Sequence, residues 1–265
     1  MFPRLLEIGS FSLPTYGLLI AAGFLVGVSL SAYLARRTAV DAERITNLGI
    51  VLLLSAIVGA KLFLIANSWS YYAADPGRLF SLSALRSGGV FYGGLVTALA
   101  VSQWYTRRHG LPWLATADLM VPGLAFGHAL GRMGCFAAGC CWGHETDVAW
   151  AVTFRNPVAH EFTGVPLHVA LHPTQLYEML GTALIGAFLL WRFLRPHAPG
   201  TILGYYLVLY SVFRFAVEPF RAHEARPALV AGTVSTTQLV ALALAALGAW
   251  LVLSTRRRAG SRPVP

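Results

Sequence analysis

Within one apolar run, Tyr210, Arg214 and Glu218 recur four residues apart, a spacing that stacks them on one face of a helix. Arg221 follows, just beyond Pro219. The planar donor fork of arginine matches two oxygens of a phosphate. This face therefore reads as an anion site, with Glu218 orienting Arg214 and Tyr210 donating a hydrogen bond. The alternative is an Arg214–Glu218 pair that neutralises itself and locks helices together. A second guanidinium, Arg132, lies in a run where Gly131 and Gly134 flank it; such small residues let a ligand or another backbone come close. Two arginines on separate helices predict a clamp on a phosphodiester. His128, one turn before Arg132, reads as a packing residue.

The stretch His172 to Glu178 opens another apolar run, with Pro173 suited to a first helical turn. Gln175 and Glu178, three apart, face one interior there, as part of a site or as caps and interhelical hydrogen bonds. Cys135, Cys140, Cys141 and His144 match the residue types of a Cys₃His zinc set. Neighbouring cysteines seldom both point at one metal, however, and the chain has no second cysteine-rich half. They read as small packing residues, with a metal site or a reactive thiol as the alternatives. No metal and no organic cofactor are expected.

These groups need an apolar scaffold, and the composition supplies one. Of 265 residues, 56% are hydrophobic and 12% charged, and mean hydropathy is +0.62; soluble domains carry about 25% charged residues. That excludes a disordered chain, most cytosolic enzymes and a polar nucleic-acid-binding domain, despite a net charge of +9. A membrane helix needs about 20 apolar residues. Seven spans meet or approach that, at about 11–34, 45–69, 90–105, 114–138, 176–194, 202–217 and 234–253. The expectation is an all-α polytopic membrane protein forming a single integral membrane domain, 1–265. The first run is longer than a signal-peptide core, and its positive charge follows rather than precedes it.

Orientation follows from arginine. Arg36, Arg37, Arg44, Arg107, Arg108, Arg192, Arg195, Arg256, Arg257, Arg258 and Arg262 fall in segments that alternation places on one side. Arg4, Arg78, Arg86, Arg155, Arg221 and Arg226 fall on the other. Eleven against six predicts N-out, C-in by the positive-inside rule. The stretch 143–172, between spans 4 and 5, then becomes a small extracytoplasmic excursion, with strand-like alternation over Val148 to Phe154. Ala73 to Ser87 becomes a shorter outward segment, and 254–265 a basic cytoplasmic tail. A cation at the bilayer centre costs about 2.5–3.5 kcal/mol, so the arginines within spans call for function or a buried partner.

In their order along the chain, these segments resemble the prolipoprotein diacylglyceryl transferase family. The resemblance is carried by Tyr16-Gly17, by Arg86-Ser87-Gly88-Gly89 leading to Tyr92-Gly93-Gly94, and by Gly131-Arg132-Met133-Gly134 running to Gly143. It continues through His172-Pro173-Thr174-Gln175-Leu176-Tyr177-Glu178, Tyr210 to Arg221, and Ser235-Thr236-Thr237-Gln238. The resemblance implies a multi-pass enzyme of the bacterial inner membrane, acting on its extracytoplasmic side. Its partners would be phosphatidylglycerol, prolipoprotein precursors and the bilayer, not nucleic acid. The diacylglyceryl group of phosphatidylglycerol would pass to a lipobox cysteine thiol, forming a thioether and releasing glycerol phosphate.

By the same resemblance, Arg132 and Arg214 stabilise the phosphate, while Tyr16, Tyr210 and Gln175 complete the headgroup site. Glu178 joins them, Glu218 holds Arg214, and Gly143 shapes the mouth. The chain departs from the family pattern at Cys135 and Ala138 (usually Asn), at Cys140 (usually Glu) and at Tyr92, where a histidine often serves as candidate base. Either Tyr92 takes that catalytic place here, with an arginine lowering its pKa from near 10, or the deprotonation falls to another group. A same-fold transferase with an altered donor or acceptor is the alternative, and a small-anion transporter using the same arginines is a more distant one.

Overall fold

The computed structural model describes residues 3–8, 11–81, 89–222, 228–230 and 234–260. The chain begins with a two-stranded antiparallel hairpin, β1 (Arg4–Ile8) and β2 (Phe11–Pro14). Then follow α1 (Thr15–Ala35), α2 (Ala42–Asn67), the short α3 (Trp69–Ala74) and a 3₁₀ turn at Pro76–Phe80. Next are α4 (Phe91–Arg108) and α5 (Trp113–Ala138). An irregular stretch carries β3 (Val152–Thr153), α6 (Pro157–Thr163) and β4 (Ala170–Leu171). Helices α7 (Thr174–Phe193) and α8 (Thr201–Val217), a 3₁₀ turn at Glu218–Phe220, and the pair β5 (Ala228–Val230) and β6 (Val234–Ser235) lead into α9 (Thr236–Gly260).

Five of these segments are long and apolar enough to cross a membrane: Thr15–Ala35, Ala42–Asn67, Thr174–Phe193, Thr201–Phe220 and Thr236–Thr255. Helices α4 and α5, of 18 and 26 residues, are long enough as well. Their hydropathy is diluted by Gln103, Arg107 and Arg108 in one, and by Asp118, His128 and Arg132 in the other. The first predicted span needs correcting at its start. Phe11–Pro14 is strand rather than helix, because Ser12 and Phe11 pair with Glu7 and Ile8. Strand character around Val148 to Phe154 is confined to Val152–Thr153. The segment predicted to face outward after span 2 begins with α3 and the 3₁₀ turn; residues 82–88 lie outside the described residues, as do 261–265.

Contacts divide the chain into two compact units, 32–116 and the remainder. In the smaller unit, Asp41 caps α2 by accepting from the Glu43 backbone N–H at 2.9 Å. Here α2 and α4 pack so closely that a Cβ on Gly59 would stand 2.2 Å from Thr97 Oγ1, and one on Gly93 would stand 2.4 Å from the Phe63 side chain. The Gly93-Gly94 pair thus serves helix–helix approach. At the other end of this pair Tyr105 donates its hydroxyl to the Arg44 carbonyl (3.1 Å), and Arg44 donates to the His109 carbonyl (3.1 Å).

In the larger unit, α1 and α5 run antiparallel through two Gly-x-x-x-Gly pairs, a close-packing device of membrane helices. A Cβ on Gly23 would stand 2.7 Å from the Gly127 carbonyl oxygen, and one on Gly123 would stand 2.3 Å from that of Gly27. Val121, Ala125, Ile185, Leu189 and Ile202 join α5, α7 and α8 in one core. Asp118 fixes the start of α8: its carboxylate accepts from the backbone N–H groups of Gly200 and Leu203, both at 2.7 Å. These amides have no partner within the helix, and the helix dipole favours an anion there. The stretch between α5 and α7 is a folded excursion. Phe154, Ala159, Val165 and Leu171 form its own core under Trp142 and Leu167.

The glycine crossing yields a prediction. Gly123→Leu drives a side chain into the α1 backbone and costs about 1–3 kcal/mol or more, read as a lower unfolding midpoint in detergent. Gly17→Ala, whose added Cβ meets only ordinary contact at 3.6 Å, leaves the midpoint unchanged or raised.

Candidate functional site

The site is built on the first turn of α7. Thr174 donates its hydroxyl to the Cys141 carbonyl and Gln175 its amide to the Cys140 carbonyl, each at 2.7 Å. These bonds fix the loop leaving α5 against the new helix. One turn later Glu178, fully buried, forms ion pairs with two guanidiniums. Arg132 Nη2 lies 2.7 Å from its Oε2, and Arg221 Nη1 hydrogen-bonds its Oε1. Arg132 is carried by α5 and Arg221 by the segment just past α8, so one carboxylate ties three elements together.

Arg221 arrives through backbone. Gly143 forms an antiparallel bridge with Arg221, and the Gly143 N–H donates to the His172 carbonyl at 2.9 Å. The N–H groups of His144 and Ala222 donate to the carbonyls of Phe220 and Trp142. A Cβ on Gly143 would stand 2.5 Å from the Phe220 oxygen and 2.6 Å from the His172 Cβ. Gly143 therefore sits where three backbone segments cross, and only glycine fits.

A second ion pair stands beside the first. Arg214 hydrogen-bonds Glu218 one turn away along α8. Glu218 also accepts the Ser235 hydroxyl at 2.9 Å. Ser235 is the cap of α9: its hydroxyl accepts from the Gln238 N–H at 3.2 Å, and its own N–H donates to Gln238 Oε1 at 3.0 Å. This reciprocal capping box accounts for the Ser235-Thr236-Thr237-Gln238 segment and anchors Glu218 from a third helix.

Between the pairs lie His128 and Tyr210, with ring centroids 5.2 Å apart. Arg132 donates from Nε to His128 Nε2 at 3.3 Å, so that nitrogen is an acceptor and the imidazole is neutral. Both Arg132 and Arg214 act electrostatically on His128 and on Tyr210. The two guanidiniums, from α5 and α8, thus converge on one neighbourhood. Tyr16, 43% exposed on α1, packs its ring against Gly134 and feels Arg132 and the three cysteines.

The structure thus brings Tyr16, Arg132, Gln175, Glu178, Tyr210, Arg214 and Glu218 into one unit, with Gly143 as its backbone crossing. Tyr92 opens α4 in the smaller unit, 53% exposed with its ring against Phe91. Sequence reasoning paired Arg214 with Glu218 but did not find the partner of Glu178. Arg221 appeared there as a spare guanidinium, and its partner lies 43 residues away.

The cysteines also meet. Their sulfurs all lie within 4.8 Å of one another. Gly139, at φ 83°, ends α5 in the left-handed region, and Cys141 turns again at φ 61°. The Cys140 N–H donates to the Cys135 carbonyl at 3.1 Å, folding the loop back over the helix end. Hydrogen bonds from the thiols of Cys135 and Cys140 push the Cys141 thiol below its ordinary pKa, and Arg221 and Arg132 add to that. Cys140 is pushed up by the same sulfur contacts.

Arg132 and Arg214 thus act on one neighbourhood, each paired with a carboxylate that is itself braced. Breaking a buried pair leaves an uncompensated charge, which costs about 3–5 kcal/mol. Glu178→Ala is therefore expected to lose about that much stability in chemical or thermal unfolding. Glu43→Ala, at an exposed position on α2, stays within about 0.5 kcal/mol of wild type.

A family model described as prolipoprotein diacylglyceryl transferase matches residues 3–254. The chain is similar to the phosphatidylglycerol–prolipoprotein diacylglyceryl transferase of Synechococcus elongatus, 34% identical over 256 residues, covering 93% of this chain and 84% of the relative. That of Vibrio atlanticus is 31% identical over 265 residues, covering 97% and 91%. That of Ruegeria pomeroyi is 35% identical over 270 residues, covering 93% and 91%. With the match running from the first strand to the last helix, the chain belongs to the prolipoprotein diacylglyceryl transferase family.

Proposed function

We propose that this protein transfers the diacylglyceryl group of phosphatidylglycerol to the lipobox cysteine of prolipoproteins, a step of lipoprotein maturation. The observation that carries the reading is the convergence of Arg132 and Arg214 around His128 and Tyr210, in a chain matched to the family over residues 3–254. In the reaction, the acceptor sulfur gives an electron pair to the glycerol carbon bonded to the phosphate oxygen. A carbon–sulfur bond forms as that carbon–oxygen bond breaks, and glycerol phosphate leaves with the pair.

Negative charge grows on the departing phosphate. Preorganised donors aimed at it act where they stabilise the transition state most. Arg132 and Arg214 fill that role, with Glu178 and Glu218 holding their forks and so avoiding reorganisation during the step. Tyr210 and Tyr16 contact the headgroup. Gln175 contributes its buried Oε1, which has no hydrogen-bond partner among the described residues, as an acceptor for a glycerol hydroxyl. Tyr92 is the candidate to take the thiol proton.

The same reading extends to topology. Helices α4 and α5 complete seven spans with the five more apolar ones, running N-out to C-in, and the site opens toward the extracytoplasmic side. The arginine distribution supports this, and so does the chemistry, since precursors emerge on that face. A fluorescent protein that matures only in the cytoplasm, fused after Pro265, is expected to fluoresce. An alkaline phosphatase inserted in the 143–172 excursion is expected to be active. The reverse pattern would overturn the orientation.

The catalytic reading is tested with phosphatidylglycerol vesicles and a lipobox peptide. Arg214→Ala should lower turnover by about 10²–10³, the loss typical of one oxyanion-stabilising donor, while the protein remains in the membrane fraction. Unchanged lipidation would remove Arg214 from the mechanism. Tyr92→Phe, assayed alongside, should stop turnover if the phenol takes the proton.

A further inference from the structure

We infer that Cys135, Cys140 and Cys141 form a three-sulfur site for a soft divalent cation of the zinc class, whose fourth coordination position receives the sulfur of the acceptor cysteine. The second half of this inference rests on the transferase reading; the first half does not.

The argument begins with distance. Three sulfurs lie within 4.8 Å of one another. Zinc–sulfur bonds of about 2.3 Å place tetrahedral sulfurs about 3.8 Å apart, so the cluster needs to contract by only about 1 Å. Adjacent cysteines on a regular helix or strand diverge. Here Gly139 and Cys141, both in the left-handed region, turn the chain so that Cys140 and Cys141 return over Cys135. The turn is fastened from outside, because Gln175 and Thr174 hold the carbonyls of Cys140 and Cys141. The backbone is thus committed to this convergence before any ion binds.

The ligand count decides the type of site. Among the described residues, no histidine or carboxylate joins the three sulfurs. Structural zinc sites are closed by four protein ligands, whereas sites that handle a substrate supply three and leave one position open. Soft thiolate donors select zinc-class and cuprous ions over magnesium or calcium. Three thiolates and a divalent cation carry a net charge of −1, and Arg132 and Arg221 both act on the Cys141 sulfur. The two guanidiniums paired with Glu178 therefore also offset the charge of a filled cysteine site.

The open position meets a need of the reaction. A free thiol, with pKa near 8.5, is mostly protonated at neutral pH, and only the thiolate is a nucleophile or a metal ligand. On ligation, the acceptor cysteine loses its proton to water, so that with the ion bound Tyr92 is not needed as its base. Its sulfur then forms the bond to the glycerol carbon while the carbon–oxygen bond to phosphate breaks. The product thioether is a neutral, weaker donor and leaves the ion, which reopens the position.

The test uses the full-length protein in lipid nanodiscs, with Zn²⁺, Cd²⁺ and Co²⁺ salts as probes. About one zinc per chain should survive dialysis, and Cd²⁺ should produce an ultraviolet sulfur-to-metal charge-transfer band. Cys135→Ser and Cys140→Ser should each abolish that band. Because either variant could misfold, wild-type protein alkylated at its thiols is measured beside them and should lose the band too. A lipobox peptide should shift the Cd²⁺ and Co²⁺ spectra, and its serine analogue should not. Failure to retain metal or show a band, or a disulfide among the three cysteines in alkylation-trapped protein, overturns the site. If such metal-free protein still lipidates precursors, the transferase reading stands without it. A bound ion whose spectrum ignores the peptide overturns the open-position assignment. A site that fills and responds to the peptide, in protein that transfers nothing, upholds the site and overturns the transferase reading.

Discussion

One buried carboxylate shared by two guanidiniums organises this protein's chemistry. Glu178 has no exposure to solvent and touches Arg132 from α5 and Arg221 from the segment after α8. A lone cation in hydrocarbon is costly, and a lone buried carboxylate is costlier than the pair. The three groups tolerate the apolar surroundings only together. They therefore dictate where α5, α7 and the Arg221 strand must meet. The Gly143 crossing is the backbone consequence: no residue with a side chain could sit between Phe220 and His172 and still deliver Arg221 to Glu178.

The rest of the larger unit braces that arrangement. The Gly23–Gly127 and Gly27–Gly123 contacts let α1 lie against α5 at backbone distance, which brings Tyr16 beside Gly134, two residues beyond Arg132. Asp118 holds the opposite end of α8 through two short amide contacts, so that helix is secured at its start by a carboxylate from α5. At its far end the Arg214–Glu218–Ser235 chain secures it to the cap of α9. Arg132 and Arg214, the arginines proposed to bind the anion, thus project from helices whose termini are fixed. That is what a preorganised electrostatic site requires.

Much of this was legible in the sequence where physics is local. The Tyr210-Arg214-Glu218 spacing is a helical face whatever the tertiary fold, and the ion pair it predicts is present. The apolar runs predicted the long helices to within a few residues. The N-terminal hairpin was missed because Phe11–Pro14 is apolar enough to continue a span, and only pairing with residues 4–8 makes it strand. The glycine pairs between α1 and α5 carry a Gly-x-x-x-Gly spacing that was there to be read, but which helix each would meet was not. Glu178 and Arg221 were visible as residues with no visible partner, since a contact spanning 43 positions leaves no periodic trace. The cysteines were discounted because neighbours on regular backbone diverge. The two left-handed residues that overturn that assumption, Gly139 and Cys141, include a non-glycine whose φ no composition rule supplies.

The first turn of α7 joins the two halves of the chemistry. Thr174 and Gln175 hold the carbonyls of the cysteine loop, and Glu178, one turn further on, holds the arginines. These are neighbouring residues on one rigid element, so the sulfur cluster and the guanidinium cluster cannot move independently by much. In a displacement reaction the attacking atom must approach opposite the leaving one, and the barrier is sensitive to errors of about 1 Å. A single helical turn that positions the guanidiniums and the sulfur-bearing loop together sets their separation by covalent geometry rather than by loop flexibility. In the reaction proposed above, the opening segment of α7 is then the ruler between the guanidiniums and the cysteine loop.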